Sequence, residues 1–200
     1  MKAVGVILAG GLARRMGGGQ KALLELAGRP LIAHAIERLG PQVAQLVLNV
    51  NAEAERYAAL GLPLARDTVP GFAGPLAGVL AGMDWAAEHR PEAELLLSAP
   101  TDAPFLPHDM AARLGAALEA ENAAVAVAAS GERHHPVAAL WRMSLREELR
   151  RALTERDIRK IDLFTAEHRT ATVTWPDIPA DPFFNVNRPE DLARAEALLG

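Results

Sequence analysis

Short apolar runs that alternate with helix-forming stretches constrain this chain more than any other feature. Residues 3–9 (AVGVILA), 45–50 (QLVLNV), 94–98 (ELLLS) and 123–129 (AAVAVAA) have the near-continuous hydrophobicity of strands covered on both faces. Between them, 30–39 (PLIAHAIERL), 75–89 (PLAGVLAGMDWAAEH) and 107–120 (PHDMAARLGAALEA) are each about three turns of helix formers. Each opens on proline, whose missing N–H costs nothing at a helix start. Strand followed by helix, repeated, calls for parallel strands joined by right-handed crossovers. The expected fold class is therefore a three-layer α/β/α sandwich, Rossmann-like, with a mostly parallel sheet. The second half is less regular. There 135–141 (HPVAALW) and 170–175 (TATVTW) read as strands, 143–168 as one or two helices, 188–199 as a closing helix, and 175–182 (WPDIPADP) as a connecting loop. With 200 residues, 50% of them hydrophobic, the chain is expected to form a single domain over 1–200.

Several classes are disfavoured at once. A net charge of −4 provides no global basic field, so a nucleic-acid partner is not expected and any anion site must be local. No cysteine is present, which removes disulfides, thiolate metal sites and thiol nucleophiles. No apolar run approaches the roughly 20 residues of a membrane helix, and the N-terminus lacks a signal-peptide layout. The expectation is a cytoplasmic protein without a membrane partner.

In open α/β sheets ligands bind beyond the carboxyl ends of the strands. Four such ends carry chemistry here. AGGLARRMGGGQKA follows the first strand and Asn49 to Asn51 the second; Asp67 and GFAGPLAG lead into the 75–89 helix, and APTDAPF, with Asp102, follows the 94–98 strand. Successive glycine N–H groups can form a nest for an anion, because without Cβ the chain takes positive φ and comes close to a phosphate. Arg15 and Lys21 add full charges. A solvated turn with incidental basic residues is the plainer reading, and the position directly behind a buried strand weighs against it. Neither common phosphate loop matches. Gln20 precedes Lys21 and Ala22 follows it, so the Gly-Lys-Ser/Thr of a P-loop is missing, and no glycines take the G-x-G-x-x-G spacing. Asp102 follows LLLSAPT, which delivers it to the carboxyl edge between Pro100 and Pro104. Mg²⁺ takes one or two carboxylates with phosphate oxygens and waters, so one placed aspartate suffices. Capping the next helix is its alternative role. Asp67 stays open between a nucleotide contact and a turn residue bonded to its own backbone.

These residues carry a resemblance. LAGGLARRMGGGQKALLELAGRPLI resembles the nucleotidyltransferase signature loop L-A-G-G-x-x-x-R-M-G-x-x-K. LVLNVN, RDTVPGFAGPLAG, PTDAPFL, GERHHPVAALW and FFNVNRPEDL resemble, in order, later segments of the molybdenum cofactor guanylyltransferase family, from about residue 3 to residue 199. The resemblance implies an enzyme in which the terminal phosphate of molybdopterin attacks the α-phosphate of GTP and pyrophosphate leaves. Such chemistry needs positioning and charge stabilisation rather than a protein nucleophile. Carried over by position, Leu8, Ala9 and Gly10 meet the guanine, and Gly11 lets the backbone approach. Gly17 to Gly19 bend the chain towards Lys21. Arg15 and Lys21 hold the phosphates, Asn49 and Asp67 contact the nucleotide, and Asp102 carries Mg²⁺. Arg15, Lys21 and Asp102 form the implied catalytic set, and His135 and Asn185 the implied substrate contacts. The N-terminal half is then nucleotide-binding and the C-terminal half molybdopterin-binding. The implied protein partners are those of molybdenum-cofactor biosynthesis or its acceptors.

The remaining features have plainer readings. His134 and His135, if on a strand, point to opposite faces and cannot share one ion. Asn187, with Glu190 three residues on, fits a helix cap. Asn185 has no such role and is expected to face the metal or the molybdopterin phosphate. Trp141 and Trp175 read as core. The run REELRRALTERDIRK reads as a helix face with charges at i, i+4 spacing, docking of an anionic phosphate being the alternative. Two other functions compete: a relative using CTP or a sugar phosphate, and a GTP-binding regulatory module without catalysis. LAGG, where cytidylyltransferase relatives tend to read LAAG, favours guanine by resemblance, and the presence of both Lys21 and Asp102 favours catalysis.

Overall fold

The computed structural model describes residues 2–9, 21–71 and 74–199. The expectations placed on Gly10, Gly11, Arg15 and Gly17 to Gly19 lie outside the described residues.

The strands are β1 (Ala3–Leu8), β2 (Glu25–Leu26), β3 (Arg29–Pro30), β4 (Gln45–Asn49), β5 (Leu64–Ala65), β6 (Leu95–Pro100), β7 (Val125–Ser130), β8 (Arg133–Arg142) and β9 (Thr170–Trp175). The α-helices are α1 (Leu31–Leu39), α2 (Pro75–His89), α3 (Met110–Ala120), α4 (Arg146–Glu155), α5 (Ile161–Thr165) and α6 (Pro189–Leu199). Seven strands form one sheet in the order β5-β4-β1-β6-β8-β7-β9, and β2 and β3 form a small antiparallel hairpin beside it. Within the seven-stranded sheet, among the described residues, only β8 runs against its neighbours, pairing antiparallel with both β6 and β7.

The alternation of side chains along β1 sorts the core into two layers. Ala3 and Ile7 pack with Ile32, Ala35 and Leu39 of α1 and with Met110, Leu114 and Leu118 of α3. Val4 and Val6 pack on the other face with Leu76, Val79, Leu80 and Met83 of α2 and, further along the sheet, Leu149 and Leu153 of α4. Helices therefore cover both faces, and each fully buried Leu or Ile contributes about 1.5–3 kcal/mol of transfer free energy. Trp141 and Trp175 are buried, as the sequence reading has them. Trp141 Nε1 donates to Ser98 Oγ at 2.9 Å, which satisfies its polar edge inside the core.

One irregularity shapes the carboxyl edge. Val127 pairs with Ala139, but Ala128 pairs with His135, so residues 136–138 of β8 fall out of register. Pro136 has no N–H to give a ladder, and such bulges bend a strand away from its partner. Ser98 Oγ donates to the carbonyl of Val137 at 2.7 Å and holds the displaced stretch against β6.

Candidate active site

Register places the candidate residues along one edge. Leu8 of β1 lies beside Asn49 of β4 on one side and Pro100 of β6 on the other, and Asn49 lies beside Ala65 of β5. Ala9 N–H continues the line by donating to Asn49 O at 3.0 Å. Asp67 and Asp102 each follow two residues after these strand ends, so four parallel strands deliver Leu8, Ala9, Asn49, Asp67 and Asp102 to the same rim.

Asn49 is buried, and its Nδ2 donates to Asp67 Oδ1 at 2.9 Å and to Ala65 O at 3.0 Å. Asp67 N–H in turn donates to Asn51 Oδ1 at 2.9 Å. Asp67 is thus held by two asparagines from the end of β4 rather than by a turn of its own backbone. Helix α2 lies so close behind Asn49 that a Cβ on Gly78 would come within 2.5 Å of its Oδ1 and 2.8 Å of Leu8 Cδ2. Glycine at 78 is therefore a requirement of close packing.

On the other side of β1, Lys21 Nζ donates to Asp102 Oδ2 at 2.5 Å and to Asn187 Oδ1. The Lys21 and Asp102 side chains are 12% and 20% exposed, so the pair sits in the wall of the rim and keeps a face towards solvent. Asp102 O accepts from Val186 N–H at 2.8 Å, which pins the segment before α6 to the end of β6. The cap expected of Asn187 belongs to another residue. Asp191 Oδ2 accepts from the N–H groups of Asn187 and Arg188, each at 2.9 Å, the reciprocal half of a capping box. This leaves Asn187 Oδ1 free to take the ammonium of Lys21, a role the cap reading hid.

Asp102, His135 and Asn185 line one cavity of about 220 Å³, together with Pro100, Phe183 and the bulged residues of β8. His135 stacks on Phe183 at 4.7 Å, and its Nε2 lies 2.6 Å from Ser130 Oγ. Burial holds the imidazole below its usual range; Arg133 and His134 push the same way and Asp181 opposes them. His134 is exposed where His135 is buried, and both line this cavity.

A hard oxygen donor set is present at this rim. Asp102 keeps Oδ1 beside its bond to Lys21, and the amides of Asn185 and Asn187 stand in the same segment, a composition that suits Mg²⁺ better than a soft metal. Glu148, Glu167 and His168 also bring ligand atoms within 4.8 Å of one another. That group lies on α4 and before the start of β9, at the opposite end of the sheet from the strand ends described above. The arginine run does not reach the cavity either. Arg150 and Arg146 approach Asp84 of α2 at 2.5 and 3.8 Å and Arg156 pairs with Glu167 at 2.6 Å, while Arg146 and Arg150 also pair with Glu147 and Arg159 with Asp157, so tertiary and short-range local pairs share the run in place of the expected i, i+4 ladder.

Comparison with known proteins fits this arrangement. The profile of the MobA-like NTP transferase domain matches residues 5–170. A molybdenum cofactor guanylyltransferase of Bradyrhizobium sp. (strain ORS 278) is 59% identical over 194 residues, 97% of this chain and 92% of the relative. The chain belongs to the molybdenum cofactor guanylyltransferase family. A member from Cereibacter sphaeroides is 49% identical over 199 residues, 100% of this chain and 98% of its own. The crystal structure of molybdopterin-guanine dinucleotide biosynthesis protein A from Archaeoglobus fulgidus superposes with a TM-score of 0.78 at 26% identity, covering 98% of each chain. Among the described residues, no helix is long and apolar enough to cross a membrane.

Within this guanylyltransferase family frame, the structure gathers the expected residues into two connected groups. Asn49 and Asp67 stand on one side of β1, which ends at Leu8, and Lys21, Asp102, His135 and Asn185 stand on the other. Asn187, Phe183 and Ser130 join the second group without having been expected there. A sequence signal existed for Asn187, since N-V-N repeats the residue type two positions after Asn185. None existed for Ser130, which is brought to His135 by the hairpin that joins β7 to β8.

Proposed function

We propose that this chain transfers GMP from GTP to the terminal phosphate of molybdopterin, giving the guanine dinucleotide form of the cofactor and pyrophosphate. The observation that carries the reading is the Lys21–Asp102 pair, which stands between the Asn49–Asp67 group and the cavity lined by His135 and Asn185. A phosphoryl donor on one side and an acceptor on the other would meet at that pair. The names of the close relatives support the same substrates.

In this mechanism a phosphate oxygen of molybdopterin forms the new bond to the α-phosphorus as the bond to the bridging oxygen of pyrophosphate breaks, and the electron pair leaves on pyrophosphate. Lys21 and Arg15 hold the negative charge of the phosphates, positioning in place of covalent catalysis. The family resemblance assigns Leu8, Ala9 and Gly10 to the guanine and Gly11 to backbone approach, while Asn49 orients Asp67 towards the nucleotide. His135 and Asn185 hold the acceptor. Nucleotidyl transfer of this kind uses a divalent cation. When bound, Mg²⁺ would neutralise phosphate charge, and Asp102 is the residue that would hold it. Asn187 also accepts from Lys21, so the ammonium would keep a partner at the rim while Asp102 held the cation. The N-terminal half of a single domain thus serves the nucleotide and the C-terminal half the pterin.

The test is pyrophosphate release with Mg²⁺, molybdopterin and each of the four NTPs in turn. GTP alone should support release. Release with CTP and none with GTP would refute the reading.

A further inference from the structure

A second cavity of about 510 Å³ opens at the same edge of the sheet, at the ends of β7 and β9, and falls within the usual size range for small-molecule sites. Arg133 lines both this cavity and the 220 Å³ one that holds Asp102. Three carboxylates, Glu132, Asp177 and Asp181, and a second guanidinium, Arg194, share its wall.

Among the described residues these groups form no ion pair with one another, although the chain pairs its surface charges freely elsewhere. Arg194 lies over the ring of Phe184, with its guanidinium carbon 5.1 Å from the centroid, and makes a flat wall. Asp181 Oδ1 accepts from Phe183 N–H at 2.8 Å, the same Phe183 that stacks on His135. Asp177 is seated against the β7–β8 turn, where Gly131 has φ of +52° and a Cβ would meet Asp177 Oδ2 at 2.8 Å. Glycine there meets the turn's conformation and admits the carboxylate at once.

We infer that this cavity is the subsite for the pterin ring of the acceptor substrate, with Asp177 reading the ring's donor edge and Arg133 holding the phosphate at the mouth of the smaller cavity. This rests on the reading of the chain as a guanylyltransferase. A 2-amino-4-oxo pterin presents N3–H and the exocyclic amine side by side, two donors that one carboxylate accepts together. The ring's flat face suits the Arg194–Phe184 wall. The phosphate, at the far end of the molecule, needs a fixed cation near Asp102, and Arg133 is the one that lines both cavities. Free charges of both signs in one wall match a ligand that carries donors at one end and an anion at the other.

The test compares wild-type protein with Asp177→Asn, Arg133→Ala and Arg133→Lys, after checking that each variant melts within a few degrees of the parent. KM for molybdopterin and for GTP is measured with pyrophosphate release as readout, and quenching of pterin fluorescence gives molybdopterin affinity without turnover. Asp177→Asn and Arg133→Ala should each raise KM and Kd for molybdopterin about tenfold to a hundredfold, with KM for GTP within about twofold, and Arg133→Lys should recover part of the loss. Unchanged molybdopterin affinity in both Asp177→Asn and Arg133→Ala, or an equal loss for GTP, overturns the subsite. Wild-type protein that releases no pyrophosphate from GTP and molybdopterin overturns the parent reading instead, which keeps the two failures apart.

Discussion

Replacing Gly78 by alanine should damage nucleotide binding more than stability, and replacing Gly82, one turn along the same helix, should do the reverse. At position 78 the new Cβ would lie 2.5 Å from Asn49 Oδ1, 3.1 Å from Asn49 Cγ and 2.8 Å from Leu8 Cδ2. At position 82 it would lie 2.9, 3.0 and 3.1 Å from Val6 Cβ, Cγ1 and Cγ2. Overpacking of this kind costs about 1–3 kcal/mol, and alanine returns about 1 kcal/mol of helix propensity. The two partners differ in how they yield. Leu8 Cδ2 is a flexible end, and Asn49 can swing, but swinging breaks its bonds to Asp67 and Ala65 and releases the rim. Val6 is β-branched, buried in the strand, and has nowhere to turn. Gly78→Ala should therefore cost about 0–2 kcal/mol, a Tm fall of a few degrees for a chain of this size. KM for GTP should rise about tenfold or more, because a displacement near 1 Å at a positioning residue costs up to about a hundredfold. Gly82→Ala should lower Tm further and leave KM for GTP within about twofold. Calorimetric melting and initial rates at varied GTP check both. An unaltered GTP KM in Gly78→Ala, or an equal rise in Gly82→Ala, would show that the Asn49–Asp67 pair does not serve the nucleotide.

Asp102→Ala should lower metal-dependent turnover on the order of 100-fold or more, measured as pyrophosphate release across a Mg²⁺ titration; an unchanged rate would move the cation elsewhere. Asn187→Ala should lower turnover about tenfold by freeing Lys21, with little change in Tm. Asp191→Ala should show the opposite pattern, a stability loss of about 0.5–2 kcal/mol from the missing cap and near-normal turnover, because the cap and the lysine contact belong to different residues. Burial keeps the folded pKa of His135 below the ordinary 6.5, so as pH falls past 6.5 the unfolded chain takes up a proton before the folded one does. Stability present above that pH is then lost on acidification. His135→Gln should flatten the fall in Tm between pH 7 and pH 5, and an identical fall in both proteins would assign it to other groups.

Local pattern and tertiary placement divide what the sequence discloses. The apolar runs located β1, β4, β6 and β7 because each has to be covered on both faces, and helix formers opened by proline located α1, α2 and α3; TATVTW, read as a strand, is the edge strand β9, whose side chains alternate between buried and exposed. HPVAALW could be read as a strand but not as an antiparallel one, since its direction is set by the two-residue turn Gly131–Glu132 and its bulge by the register of β7. The two-residue strands β2, β3 and β5 are too short to leave a periodic signal. Asp102 was legible by a simple rule, that a polar residue just past a buried strand reaches the carboxyl edge, whereas Asp67 follows the unread β5 and was placed only by the helix it leads into. Asn187 was misjudged for the converse reason: a residue before a helix has an obvious local use, and only the return of the chain to β6 through Val186 N–H and Asp102 O brings it to Lys21. Ser130 and Arg133 were silent because nothing in their neighbours along the chain requires a ligand. Their meaning comes from β8 running against the sheet. An antiparallel strand starts where its parallel neighbours end, so its first residues, Arg133 to His135, arrive at the carboxyl rim without following any strand. This reversal extends the rim past β6 to β7 and β9, and on the proposed reading would give the acceptor a site beside the nucleotide in one sheet.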